Sequence, residues 1–176
     1  MGYNITPYIT EEELKVRIKE LAAQISEDYK GKEVLMVSIL KGAVVFLTDL
    51  MREVDLDVRI DFMVVSSYGN STESSGAVKI VKDLSVDIAG KDVLIVEDIL
   101  DSGNTLSKLI DILRARGANS LKIVSLLDKP SRHVQVVPIE YTGFTIPDKF
   151  VVGYGLDYQE KHRNLPYVGV IEFTED

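Results

Sequence analysis

Three carboxylates lie within five residues of one another near the middle of the chain, in the segment VLIVEDILDSGNTL (93–106). Glu97 and Asp98 come directly after four apolar residues, and Asp101 follows three positions later. Since like charges this close resist ionising together, such a cluster is costly and indicates a binding function. Carboxylate oxygens accept hydrogen bonds from sugar hydroxyls, and they can also share a divalent cation.

The residues around this cluster predict a strand, a polar loop and a helix. The apolar, mostly β-branched run at 93–96 is typical of a strand buried on both faces. Small or turn-forming residues follow the acidic cluster, namely Ser102, Gly103, Asn104 and Thr105. From Thr105 to Arg116, apolar residues recur at helical spacing, at Leu106, Leu109, Ile110 and Leu113.

A loop of this kind suits a phosphorylated sugar. The first turn of a helix has unpaired N–H groups and the positive end of the helix dipole, which together attract phosphate. Ser102 and Thr105 add hydroxyl donors, and Gly103 lets the backbone approach a ligand closely. A simpler interpretation stays open, in which Ser102 or Asp101 is an ordinary N-cap.

A second strand, loop and helix precede this segment. The apolar sequence VLMVSIL within 32–40 predicts a strand, and 43–51 is apolar enough for a buried helix. Between them, Lys41 and Gly42 offer an ammonium group beside a glycine N–H, a pair that suits an anion. By itself this pair is weak evidence, because a surface lysine before a helix is common.

Two other stretches fit ligand binding. One has the composition of a lid, and the other places a lysine after a predicted strand, where it could bind a heterocyclic base. The segment 66–76 is rich in serine and cannot pack a core, so it is either a hairpin tip or a lid that excludes water, with a return strand at 77–82. Lys129 follows a predicted strand at 121–127, and the carboxyl ends of such strands face ligands in doubly wound sheets. Its ammonium group can donate to a carbonyl of a heterocyclic base, although a solvent lysine before Pro130 is the simpler interpretation.

The sequence EDILDSGNTL (97–106) resembles the phosphoribosyl-pyrophosphate loop of type I phosphoribosyltransferases. Four other segments match the same family in its order: Lys41–Gly42, Ser67–Tyr68, Lys129, and IPDKFVVGYGLDYQEKHRNLP (146–166). Together they narrow the resemblance to hypoxanthine-guanine phosphoribosyltransferases of a bacterial kind. The matches run from about the first helix to Phe173, so the resemblance covers nearly the whole chain.

This resemblance implies a role for most of the candidates. Asp101 would be the catalytic residue, placed near purine N7, where it assists proton movement. The phosphoribosyl and 5′-phosphate groups would bind Glu97, Asp98, Ser102, Gly103, Asn104 and Thr105. Pyrophosphate would bind Lys41, Gly42 and Arg163, with a cis peptide between Leu40 and Lys41. Ser67 and Tyr68 would belong to the lid.

The resemblance also implies a purine site and a cofactor. The purine would bind Lys129 through its O6 atom, Phe150 by stacking, Val151 through the backbone, and Asp157. Mg²⁺ is the implied cofactor, with Asp157, Glu97 and Asp98 as candidate ligands and substrate oxygens and water as most of the others. The implied reaction transfers 5-phosphoribosyl from phosphoribosyl pyrophosphate to hypoxanthine or guanine, giving IMP or GMP and pyrophosphate.

Strands alternating with helices predict an α/β fold with a mainly parallel central sheet flanked by helices. Thr10 and Glu13 have capping-box spacing and open a helix that runs to about Tyr29. A single phosphoribosyltransferase domain is expected over 1–176, with its core at about 10–130 and 167–173. The resemblance adds a small hood at about 138–165 and a mobile lid at about 66–80.

Composition narrows the function further. The net charge of −8 argues against binding to nucleic acid or to anionic membranes. No apolar run approaches the ~18–20 residues that cross a bilayer, and the first residues do not have the pattern of a signal peptide. The absence of cysteine is consistent with a reducing cytosol, so a cytoplasmic location is expected. The resemblance favours a homodimer or a homotetramer.

Three alternatives to this function stay open at the level of sequence. A regulator with the same fold would sense the donor without catalysis, but the chain keeps Asp101, Lys129, Asp157 and Arg163. A response-regulator receiver also has an acidic pair and a Lys-Pro at strand ends, but its acidic pair follows the first strand. Within the enzyme class, a xanthine-preferring phosphoribosyltransferase is the nearest alternative.

Overall fold

The computed structural model describes residues 2–67 and 78–174. Its strands are β1 (Gly2–Ile9), β2 (Val34–Ile39), β3 (Val58–Ser67), β4 (Val78–Lys82), β5 (Asp92–Leu100), β6 (Ser120–Asp128), β7 (Tyr141–Thr145), β8 (Val151–Val152) and β9 (Val168–Thr174). Its helices are α1 (Glu11–Asp28), α2 (Val44–Glu53) and α3 (Asn104–Ala115), with one 3₁₀ turn at Pro130–Arg132. In these two ranges, no helix is both long and apolar enough to cross a membrane.

Six strands form the main sheet, in the order β4-β3-β2-β5-β6-β7. All neighbours are parallel except β3 and β4, which form an antiparallel pair. This arrangement confirms the predicted α/β fold with a mainly parallel sheet. Because parallel strands end at the same edge of a sheet, the loops that follow β2, β5 and β6 lie side by side.

Alternation along β5 determines which face of the sheet each of its residues meets. Leu94 and Val96 belong to the core cluster beneath α1 and α2, whereas Val93 and Ile95 belong to the cluster beneath α3. The same alternation, carried two residues past Val96, directs Glu97 to the α3 side and Asp98 to the α1–α2 side, where it lies against Gly42. Two carboxylates that are adjacent in sequence therefore serve two different regions.

Helix α1 begins where the capping box predicts. Thr10 Oγ1 accepts a hydrogen bond from the Glu13 N–H at 3.2 Å, and Glu13 Oε2 accepts one from the Thr10 N–H at 2.8 Å. Its buried stripe, confirmed by the structure, contains Leu14, Ile18, Leu21 and Ile25. Helices α1 and α2 cover one face of the main sheet, and α3 covers the other.

A second, smaller sheet contains β1, β9 and β8 in that order, with antiparallel pairing. The sequence analysis placed 167–173 with the core and 138–165 in the hood, and the structure divides these strands differently. β9 pairs with β1 and β8 in the small sheet, whereas β7 pairs with β6 as an edge strand of the main sheet. Strands this short carry too little pattern to identify partners that lie far away in the sequence.

Candidate active site

The loop between β5 and α3 has the geometry of an anion-binding helix start. The N-cap is Gly103, whose φ of +78° lies in the left-handed region that glycine tolerates. Because the N-cap is Gly103, the simpler interpretation with Ser102 or Asp101 as the N-cap is wrong, although Ser102 Oγ accepts a hydrogen bond from the Asn104 N–H at 3.4 Å. The first intrahelical bond runs from the Ser107 N–H to the Gly103 carbonyl at 2.9 Å. The preceding N–H groups therefore point out of the helix end, where an anion can bind them.

The segment that follows β6 packs against the β5–α3 loop and forms hydrogen bonds with it. The Ser102 carbonyl accepts hydrogen bonds from the Val134 N–H at 2.9 Å and from the Gln135 N–H at 3.1 Å. A Cβ on Gly103 would lie 3.0 Å from the Gln135 carbonyl oxygen and 3.1 Å from a methyl group of Val137. A side chain at position 103 would therefore displace the connection as well as strain the backbone. No sequence pattern indicates these contacts, because they join separate loops.

Two cavities adjoin the β5–α3 loop. The loop cavity, of about 200 Å³, is lined by Glu97 and by the phosphate-loop residues Ser102, Gly103 and Thr105. The aromatic cavity, of about 360 Å³, is lined by Lys129, Phe150, Val151 and Leu156, among others. Ile99 and Asp101 line both cavities and so lie at their junction. Ile99 had no assigned role in the sequence, where it looks like an ordinary strand residue.

Glu97 and Asp98 lie where solvent contact is restricted, and both side chains are only partly exposed. Burial raises the pKa of the Glu97 carboxyl well above its usual range, and the neighbouring Asp98 carboxylate raises it further. Burial also raises the pKa of Asp98, although hydrogen bonds and the Arg163 guanidinium act in the opposite direction. A carboxyl group with a raised pKa keeps its proton to higher pH, and while protonated it can donate a hydrogen bond to a hydroxyl group as well as accept one.

Gly42 is enclosed between the end of β5 and the loop that contains Gly155. A Cβ on Gly42 would lie 1.6 Å from Asp98 Oδ2, and a Cβ on Gly155 would lie 2.1 Å from the Gly42 carbonyl oxygen. Gly155 also has a φ of +99°. The Leu40–Lys41 peptide is cis, as the family resemblance implied. Glycine at both positions is what lets these three segments meet.

A network of opposite charges lies beside this turn. Lys41 Nζ pairs with Glu160 Oε2 at 2.8 Å, and Arg163 Nη2 lies 3.5 Å from Glu160 Oε1. Arg163 Nη2 also pairs with Asp157 Oδ1 at 2.8 Å, and Arg163 Nη1 donates to the Gly155 carbonyl at 2.8 Å. The Lys41 ammonium holds the pKa of the Glu160 carboxyl below its usual value. Both predicted pyrophosphate-binding cations therefore share a carboxylate that the sequence analysis missed.

The turn that carries Glu160 has an unusual backbone. Gln159, Glu160 and His162 have φ values of +52°, +61° and +76°. Residues other than glycine pay about 1–2 kcal/mol each for the left-handed region. The Glu160 N–H donates to Asp157 Oδ2 at 2.9 Å, a contact that stabilises the turn. Strain of this kind is concentrated at ligand-binding sites, which supports a functional role for the turn.

Phe150 is an exposed ring that other aromatic side chains support. Its side chain is 48% exposed and lines the aromatic cavity. Tyr158 meets it edge-on with 5.6 Å between ring centroids, and Phe173 lies at 6.2 Å. Tyr3 of β1 contacts both supporting rings. Edge-to-face packing of this sort fixes the ring, which then suits stacking against a flat ligand.

The charged groups of the aromatic cavity are paired within the protein. Lys129 is only 8% exposed, and its Nζ lies 3.6 Å from Asp148 Oδ1. Asp101 Oδ1 accepts a hydrogen bond from Arg132 Nε at 3.0 Å. The sequence analysis identified Lys129 and Asp101 but gave no role to Asp148 or Arg132.

The structure brings most of the predicted site residues into three adjoining groups. Asp101, Lys129, Phe150 and Val151 line the aromatic cavity; Glu97, Ser102, Gly103 and Thr105 line the loop cavity; and Lys41, Gly42, Asp98, Asp157 and Arg163 meet at the Lys41 turn. Asp157 is therefore with the pyrophosphate candidates rather than with those for the purine. Ser67 ends β3, and Tyr68 lies outside the described residues, so the lid stays a prediction.

The carboxylates of this region suit Mg²⁺ only as part of a larger coordination shell. The described residues contain no group of three or more His, Cys, Asp or Glu side chains that could hold a metal by itself. Asp157 already accepts from Arg163 at Oδ1 and from the Glu160 N–H at Oδ2. A carboxylate has lone pairs to spare and is the hard donor that Mg²⁺ prefers. These residues fit an ion held mostly by substrate oxygens and water.

Residues 8–159 match the phosphoribosyl transferase domain family, and the chain belongs to that family. It is 53% identical to the hypoxanthine phosphoribosyltransferase of Escherichia coli (strain K12), with all of both chains covered. It is 52% identical to the hypoxanthine-guanine phosphoribosyltransferase of Bacillus subtilis (strain 168), over 93% of this chain and 91% of that protein.

Solved structures agree with this assignment. A hypoxanthine phosphoribosyltransferase from Staphylococcus aureus superposes with a TM-score of 0.91 and 51% identity, covering 95% of this chain and 91% of that one. The chain also matches bifunctional TilS/HprT proteins, for example from Listeria innocua at 52% identity, but it spans only about 25% of their length.

The raised pKa of Glu97 predicts that its replacement by glutamine stabilises the protein at alkaline pH. The folded chain keeps a proton on Glu97 at pH values where the unfolded chain has released it. Stability therefore falls as the pH rises from the ordinary glutamate pKa towards the raised one. Glu97→Gln removes this loss, and we expect its free energy of unfolding at pH 8 to exceed that of the wild type by about 0.5–2 kcal/mol.

Urea unfolding at pH 5 and pH 8 measures this difference. The gain from Glu97→Gln should shrink at pH 5, because the unfolded wild-type chain then keeps a proton on Glu97 for more of the time, as the folded chain does. Glu172→Gln, at an exposed position of β9, is the control and should change stability little at either pH. A gain for Glu97→Gln that is the same at both pH values would contradict the argument.

Proposed function

We propose that this chain transfers the 5-phosphoribosyl group of phosphoribosyl pyrophosphate to N9 of hypoxanthine or guanine, forming IMP or GMP and releasing pyrophosphate in purine salvage. The observation that carries the proposal is the junction of the two cavities. Ile99 and Asp101 line both. A ribose phosphate in the loop cavity and a planar base in the aromatic cavity would therefore meet at these two residues.

The loop cavity supplies groups that suit the phosphoribosyl moiety. The outward N–H groups of the first turn of α3 and the hydroxyls of Ser102 and Thr105 are donors for the 5′-phosphate. Glu97 lines the same cavity and is the better candidate for the ribose hydroxyls. Asp98 lies against Gly42 on the other side of β5, so its proposed contacts are with the pyrophosphate end of the donor.

The proposed reaction is a displacement at the anomeric carbon with oxocarbenium character. A lone pair on purine N9 forms the new bond to C1, and the bond from C1 to the pyrophosphate oxygen breaks. The proton on N7 passes to the Asp101 carboxylate, which acts as a general base. Its negative charge also favours the positive charge that develops on the purine. Lys129 would donate to O6, and Phe150 would stack on the ring.

Pyrophosphate would leave into the region around the Lys41 turn. The Arg163 guanidinium has a fork of donors that matches phosphate oxygens, and Lys41 adds a second positive charge. Both cations contact Glu160, so pyrophosphate would compete with that carboxylate for them.

The proposal includes a cofactor and a cellular setting. Mg²⁺, when bound, would neutralise charge on the leaving pyrophosphate, with Asp157 as one protein ligand and Glu97 or Asp98 as further candidates. The absence of cysteine supports a reducing compartment, and we place the reaction in the cytoplasm. The assembly proposed is a homodimer or a homotetramer.

A spectrophotometric assay of the purified protein tests the function directly. Phosphoribosyl pyrophosphate and Mg²⁺ would be supplied with hypoxanthine, guanine, xanthine or adenine in separate reactions. We expect turnover with hypoxanthine and guanine that stops when EDTA removes Mg²⁺. Turnover confined to xanthine would change the proposed substrate. Binding of phosphoribosyl pyrophosphate without turnover of any base would instead favour a regulator.

Replacement of the general base should separate catalysis from donor binding. Asp101→Asn keeps the shape of the side chain but removes its capacity to take the N7 proton. We expect kcat to fall by about 10²- to 10⁴-fold, the usual range for a general base. The dissociation constant of phosphoribosyl pyrophosphate, measured by calorimetry without a base, should change far less. Equal losses in kcat and in donor affinity would contradict this role.

Glu160→Gln should increase the affinity for pyrophosphate, because it removes the anion that competes for Lys41 and Arg163. The side chains of Lys41 and Glu160 are 65% and 66% exposed, so solvent weakens the attraction between them. We expect the inhibition constant of pyrophosphate to fall by about 2- to 5-fold.

Product inhibition of the forward reaction measures that constant. Glu20→Gln, which breaks the remote surface pair with Arg17 at 2.6 Å, is the matched control and should leave inhibition unchanged. Weaker inhibition of the Glu160 variant would mean that this carboxylate helps to hold pyrophosphate, against the prediction.

A further inference from the structure

Arg132 lies between two carboxylates at the edge of the aromatic cavity. Its Nε donates to Asp101 Oδ1 at 3.0 Å, and its Nη1 lies 3.8 Å from Asp148 Oδ2. The other oxygen of Asp148 lies 3.6 Å from Lys129 Nζ. All four residues line the cavity. Alternating charges thus connect the general base to the lysine proposed for purine O6.

The backbone keeps this chain of charges in place. Arg132 ends the 3₁₀ turn that follows Lys129, and its N–H donates to the Lys129 carbonyl at 2.9 Å. The Lys129 N–H donates to the Leu100 carbonyl at 3.0 Å, directly before Asp101 in the chain. The two ends of the charge chain are therefore joined through main-chain bonds as well as through side chains.

The geometry of the purine explains why a connection between Asp101 and Lys129 would matter. N7 and O6 lie on the same edge of a 6-oxopurine, so the groups that face them must keep a fixed separation. Arg132 contacts only Oδ1 of Asp101, which leaves Oδ2 to face the base. An arginine suits such a role, because its guanidinium is always charged and donates from a planar group of fixed geometry.

We propose that Arg132 is a positioning residue, which orients Asp101 for the N7 proton, and that Asp148 holds Lys129 towards O6. The proposal rests on the phosphoribosyl transfer proposed above and names residues that direct its two purine-facing groups. The side chains of Arg132, Asp101 and Asp148 are about half exposed, at 50%, 47% and 54%. Ion pairs as exposed as these contribute little to folding, so their loss should leave the protein folded.

Single substitutions at the two positions should affect different kinetic constants. Arg132→Gln should lower kcat by about 10- to 100-fold, because a misplaced Asp101 carboxylate loses the geometry of proton transfer. The KM for phosphoribosyl pyrophosphate should stay within about 2-fold of the wild type, because Arg132 is outside the loop cavity. Arg132→Lys should recover part of the lost rate. Asp148→Asn should chiefly raise the KM for hypoxanthine, through Lys129.

Combining Arg132→Gln with Asp101→Asn distinguishes a positioning role from a general structural role. In an Asp101→Asn protein the base is already absent, so adding Arg132→Gln should lower kcat little further. Arg116→Gln is the matched control, because it breaks a pair with Asp83 at 2.7 Å on the surface, away from both cavities, and should leave kcat unchanged.

Three outcomes would overturn the inference while leaving the proposed function intact. The first is a wild-type kcat in Arg132→Gln, and the second is a full additional loss in the Asp101→Asn background. The third is a rise in the KM for hypoxanthine at constant kcat, which would mean that Arg132 binds the base itself. Failure of the proposed function is a different result, because the wild-type protein would then show no turnover.

Discussion

Glu97 and Asp98 lie near the carboxyl end of β5, a central strand that helices cover on both faces, and placing two carboxyl groups there constrains the rest of the site. Burial raises the pKa of both, and the Asp98 carboxylate raises the pKa of Glu97 further, whereas a hydrogen bond with Glu97 acts to lower the pKa of Asp98. Strand alternation reduces the conflict, because it directs Glu97 to the α3 side and Asp98 to the α1–α2 side. Each then faces its own binding region, so a single strand end can serve both halves of a phosphorylated sugar donor.

Close backbone packing follows from the position of Asp98. Its carboxylate occupies the space that a side chain on Gly42 would need, and the Gly42 carbonyl in turn occupies the space beside Gly155. The turn after β2, the end of β5 and the loop after β8 are therefore stacked on one another. This packing carries Asp157 and Arg163 to the Lys41 turn, although they come from the far end of the chain.

The charged groups of the site are paired with opposite charges within the protein. Each main binding group has an opposite charge from the protein as its partner, in the pairs Lys41–Glu160, Arg163–Asp157, Arg132–Asp101 and Lys129–Asp148. On the proposed function, phosphoribosyl pyrophosphate and the purine would compete with these protein groups for the same charges. That arrangement suits a chain with a net charge of −8, whose overall field opposes a polyphosphate.

The sequence by itself determined the α/β class and the strand–loop–helix units, because periodicity and turn chemistry act over a few neighbouring positions. It also identified Asp101, Lys41 and Lys129 as candidate site residues. It left open an N-cap at Ser102 or Asp101, whereas the cap is Gly103, and the connection packed behind Gly103 is not visible in the local sequence. Only the tertiary structure decided the partners of β9, the close packing of Gly42 and Gly155, and the contacts of Glu160 and Arg132. The reason is distance along the chain: Lys41 and Glu160 are 119 positions apart, and Asp101 and Arg132 are 31, so no local pattern records that they meet.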